Sequence, residues 1–125
     1  MANLVETVTL SGPEKQILIA EDSYKVTLGV VVTNTGVEAD ANGKKIIKAG
    51  TPLTGSFEAR NTAFVVEDDN TVNCIALHDV DVTAGATNAT VVIAGVVDLN
   101  KLDTATQALI TNTIKGALPN IIFFK

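Results

Sequence analysis

The chain has 125 residues, 46% of them hydrophobic and 18% charged, with a formal net charge of −5. That length and apolar share indicate one folded domain with its own core and exclude a disordered chain. The nine basic residues are scattered apart from Lys44, Lys45 and Lys48, which excludes nucleic-acid binding through a basic stripe and counterion release.

Val and Thr occur sixteen times each and Ile ten times, so about a third of the chain is β-branched and suits a pleated sheet better than a helix. Residues 1–12 begin with a loose alternation in which Leu4, Val5, Val8 and Leu10 stand among Glu6, Thr7 and Thr9, before the break Ser11-Gly12-Pro13. We read them as an extended N-terminal arm and residues 13–125 as a single β-rich domain. Gln16 to Ala20 is a brief apolar run. Tyr24 to Thr33 is a strand closed by the turn residues Asn34-Thr35-Gly36. Asn42-Gly43 marks a tight turn, since this pair tolerates positive φ.

Lys44 to Lys48 follows as a strand. At Pro52 the chain is expected to leave regular pairing, because proline has no N–H for a ladder. Thr62 to Glu67 is a further strand, closed by Asp68-Asp69-Asn70. Ile75 to Val82 and Thr90 to Val97 then form an antiparallel pair, their seven-residue connection being too short for a parallel crossover. The second of these strands is apolar on both faces. One helix is expected over Thr104 to Lys115, with Asp103 as N-cap, Gly116 as the C-terminal stop and Pro119 just beyond. Ile121 to Phe124 is a final, docked strand. The fold class is mostly β (α+β), with one C-terminal helix.

Reactive chemistry is sparse. The single His78 has no nucleophile or base paired with it, and acid–base or nucleophilic catalysis needs such a pair. Asp79 and Asp81, two apart on a strand, would share a face, but calcium wants six to eight oxygens and the following Ala84-Gly85-Ala86 adds only carbonyls. No phosphate-binding glycine loop occurs. We therefore expect no catalytic residue, no cofactor and no metal, and a protein that is not an enzyme. Cys74, the lone cysteine, reads as a buried small hydrophobe. The first residues lack the basic-then-apolar pattern of a secretory signal, and no apolar run approaches the roughly 20 residues needed to span a bilayer. No membrane partner is expected.

Four stretches, in order and spacing, carry a resemblance: Ala49-Gly-Thr-Pro-Leu53, Ile75-Ala-Leu-His-Asp-Val-Asp-Val82, the loop Thr83 to Thr90, and Val91 to Leu102. Together with the closing helix and its Leu-Pro-x-Ile-x-Phe ending, the chain resembles the small head decoration proteins of tailed bacteriophages, the family typified by the lambda capsid-stabilising protein. The resemblance covers roughly residues 44–102. It implies a homotrimer on the outer surface of the virion, made in the host bacterial cytoplasm and seated at three-fold and quasi-three-fold points of the capsid. Its partner there would be the major capsid protein, and its task to stabilise the expanded head against packaged DNA.

Under that resemblance, Leu4, Val5, Thr7, Val8 and Leu10 of the arm are candidate capsid-binding residues, acting by strand addition to an open sheet edge. Two alternatives stand beside it: a head-fibre base or other accessory virion protein, and a non-viral β-rich binding module.

Overall fold

The computed structural model describes Ile17, Leu18 and residues 24–125. The arm expected over residues 1–12, with its five candidate residues, lies outside them. The elements in chain order are β1 (Lys25–Val32), β2 (Ile46–Ile47), β3 (Pro52–Thr54), β4 (Val65–Val66), β5 (Cys74–Ala76), β6 (Val80–Asp81) and β7 (Thr87–Asp98). A 3-10 turn (Leu99–Lys101), α1 (Thr104–Leu109), α2 (Asn112–Ala117) and β8 (Ile121–Phe124) complete them. The domain is mostly β, as its β-branched composition leads one to expect.

Strand β7 organises the main sheet. Along one flank it pairs antiparallel with β1, from Lys25↔Gly95 to Val32↔Thr87. On the opposite flank it pairs antiparallel with β5 at Val91 and Val92, then parallel with β8 from Gly95↔Ile121 to Asp98↔Phe124. The sheet continues outward through β3 to β4, while β2 and β6 form a separate two-stranded ribbon. The parallel β7–β8 pair needs a long crossover, and the two short helices are built into it.

Both faces of the sheet are covered, which is why β7 is apolar on both sides. On one face Ile75, Val92 and Val97 pack with Leu102, Ile110, Ile114 and Leu118 from the helical crossover and with the buried Ile17 and Leu18. On the other, Val30, Leu53, Cys74, Ala76 and Val91 cluster with Phe64, with Ile47 and Val80 from the ribbon, and with Val82 just after it. Fully burying a side chain such as Phe64 contributes roughly 1.5–3 kcal/mol. A bulge keeps β7 in phase with both layers. The register steps from Val26↔Ala94 to Thr27↔Val92, leaving Ile93 as the extra residue. Val92 and Val97, an odd number of residues apart, thereby reach the same core, because one inserted residue flips the alternation.

Several sequence expectations are corrected here. The strand expected over Ile75 to Val82 is two strands in different sheets, β5 and β6, separated by a bend at Leu77-His78. The antiparallel pairing with the following strand holds for β5. Pro52 opens a strand instead of ending one: its carbonyl accepts from the Glu67 N–H at 3.2 Å, and a strand's first position needs no donor from proline. The expected strands over Lys44 to Lys48 and Thr62 to Glu67 shrink to two residues each. The single helix is two, broken at Ile110-Thr111, and Gly116 lies inside α2. Asp103 occupies the N-cap position of α1 without giving a side-chain cap bond.

Candidate functional site

The five arm residues Leu4, Val5, Thr7, Val8 and Leu10 lie outside the described residues, so the body of the domain supplies the geometry. The acids singled out in the sequence do not converge. Asp79 Oδ1 accepts the Ala49 N–H at 2.7 Å across the bend, and its other oxygen stands 3.9 Å from Lys48 Nζ. Lys48 Nζ also lies 3.8 Å from Asp103 Oδ2. One lysine thus joins the β5–β6 bend to the start of α1. Both side chains of each pair are nearly half exposed, so the pairs contribute little to stability, about 0–1 kcal/mol each.

Asp81 works locally instead. It accepts the Thr83 N–H at 2.9 Å, while Thr83 Oγ1 accepts the Lys45 N–H at 2.8 Å. The Thr83 hydroxyl, with its N–H second, holds the Asp81 carboxyl below the usual carboxylate range. Asp40 and Asp69 repeat the device: backbone N–H groups of Lys44 and Asn42 lower the first, and the Thr71 hydroxyl lowers the second. These are turn-forming carboxylates. Asp79 and Asp81 do not share one strand face, because the bend interrupts the alternation on which that reading relied. Among the described residues, no group of three or more His, Cys, Asp or Glu is placed to hold a metal ion.

Cys74 is fully buried in the second core layer, its Sγ 3.7 Å from the Leu53 carbonyl oxygen. Burial pushes its thiol up to about 12, so at neutral pH it is an uncharged packing group. His78 is half-buried at the bend. Among the described residues, no helix is long and apolar enough to cross a membrane.

What the domain does present is apolar surface. Tyr24 is 66% exposed and Val26 and Phe57 about 40%, and all three line a groove of about 510 Å3 with Ile93 and Pro119. Ile122, 61% exposed, and Phe124 project from β8. A second groove of about 670 Å3 lies between the β2 ribbon, the end of β4 and α1, where Leu109 stands 39% exposed. Sequence reasoning took Lys48 only as a clustered lysine at a strand end, and it did not single out these exposed side chains. Alternation and helical spacing mark apolar positions without saying which of them stay uncovered.

Compared with known proteins, the chain matches no family model and no curated protein.

Proposed function

We propose that this chain is a structural virion protein that binds the outer surface of a tailed-phage head. It would act as a trimer at three-fold and quasi-three-fold sites, gripping the major capsid protein and stabilising the expanded shell against the pressure of packaged DNA. The observation that carries the reading is the ordered run of Ala49-Gly-Thr-Pro-Leu53, the strand segments within residues 75–82, and Val91 to Leu102. In the fold these stretches pack on one another. The Gly50 N–H donates to the Ala76 carbonyl at 2.7 Å, and the Ala76 N–H returns to Thr51 at 3.0 Å. Leu102 fills the space beside Gly50. A protein with a mechanical task needs such a closed unit and complementary surfaces more than it needs reactive side chains. The exposed Tyr24, Val26 and Phe57 are apolar surface that a subunit contact would cover.

In this reading the arm adds a strand to the capsid protein. Ordering eight residues, Asn3 to Leu10, costs on the order of 10 kcal/mol at 1–2 kcal/mol each. Backbone pairing and burial of Leu4, Val5 and Val8 must offset it. Three arms on one trimer act at high effective concentration, so weak single contacts sum to firm attachment. The test is sedimentation of the protein with expanded, undecorated shells. Wild-type protein should pellet with them, and a variant lacking residues 2–10 should stay in the supernatant. Undiminished binding by the truncated protein rules the arm out.

A further inference from the structure

The groove beside Leu109 joins two features that point to one kind of occupant. Its floor is apolar, with Val37, Ile46 and Val66 partly covered and Leu109 open at the end of α1. Its rim is acidic, carrying Glu38, Glu67 and Asp68. Among the described residues, no basic group lies within 4.0 Å of these three carboxylates. The lining cation, Lys48, already faces Asp79 and Asp103.

That pairing of floor and rim is selective. A nucleic acid or an anionic lipid surface meets three like charges. An uncharged apolar ligand would cover the floor but strip water from carboxylates that gain no partner, which is costly. The chain's own first twelve residues contain Glu6 and no lysine or arginine, so they do not complement the rim. A protein segment with apolar side chains flanked by lysine or arginine satisfies both demands. Its apolar groups leave water on the floor while its cations form charge-assisted hydrogen bonds at the edge. The volume, about 670 Å3, falls within the roughly 300–1,000 Å3 usual for binding clefts.

We infer that this groove docks an apolar segment flanked by basic residues. Resting on the virion role proposed above, we assign that segment to the shell's major capsid protein. The body of the domain then grips the shell at a second place, independent of the arm.

Sedimentation with expanded, undecorated shells over a series of salt concentrations tests this, using full-length protein. Two variants alter the groove at its surface: Leu109→Asp, and Glu38→Gln combined with Glu67→Gln and Asp68→Gln. Circular dichroism is used first to check that both variants fold like the wild type. Leu109→Asp should weaken binding by about tenfold or more, as loss of an apolar anchor does. The neutralised rim should weaken binding at low salt and flatten its salt dependence, because screened charges no longer contribute. Wild-type protein that stays in the supernatant overturns the virion reading and this site with it. Wild-type protein that pellets, with both variants pelleting equally and with the same salt dependence, overturns the groove alone. Variants that change the protein's own mass in solution but not its shell binding assign the groove to a second copy and overturn the assignment to the shell.

Discussion

At Gly50 the backbone takes φ +93°, and a Cβ placed there would stand 2.3 Å from Cδ2 of Leu102. Two demands therefore meet at one position: a left-handed backbone and space for a core side chain. Gly50→Ala should cost about 2–3 kcal/mol from backbone strain and overpacking combined, read as a lower urea midpoint with an unchanged slope. Shortening Leu102 as well should relieve the clash, so Gly50→Ala with Leu102→Ala should cost less than the two single changes added together. Ala49-Gly-Thr-Pro-Leu53 stands out in the sequence as a motif, but the reason for its glycine lies about fifty residues downstream. Gly43, by contrast, was legible at once, because Asn42-Gly43 is a local turn signal and its φ is indeed +77°. Asp79 was expected to share a strand face with Asp81, and it does not. Counting by twos presumes an unbroken strand, and the bend at Leu77-His78 brings Asp79 to the Ala49 N–H.

Among the elements, the crossover between β7 and β8 departs furthest from its sequence. Ala105, Ala108, Leu109 and Ile114 keep near-helical spacing, so one helix is the natural reading. The break falls at Thr111, whose side-chain oxygen accepts the Ile114 N–H at 3.4 Å and begins a second helix. Ile110 and Ile114 on either side of it are both in the core, at 7% and 0% exposure, as i and i+4 positions of one unbroken helix would also be. Threonine is neutral inside a helix and favourable at its start, so propensity alone does not separate the two arrangements. Thr111→Ala should destabilise the domain by about 1 kcal/mol through loss of the cap, measurable as a lower Tm. Thr111→Ser should retain most of the stability.

For the whole molecule, the β-rich class was legible because composition alone carries it, and so was the two-sided burial of β7. The strand order was not, because it depends on pairings between distant segments and on a ribbon, β2 with β6, made of two residues a side. The exposed apolar side chains were legible only in the 46% hydrophobic share. The trimer proposed above predicts a solution or virion-bound mass three times that of the 13.0 kDa chain. Light scattering that returns a single-chain mass at all concentrations counts against a trimer in solution.

The central place of β7 also bears on how the domain is made. Lys25 pairs with Gly95, and Ile75 with Val92, so the strand that joins the sheet leaves the ribosome after most of its neighbours. Until then β1 and β5 each keep a bare flank, and nascent chains shorter than about ninety residues carry edges open to wrong partners. Topology of this kind folds in milliseconds to seconds, not microseconds. Synthesis of β7 is the step at which β1 can join β5 and the strands beyond it, and the crossover and β8 then supply the rest of the core.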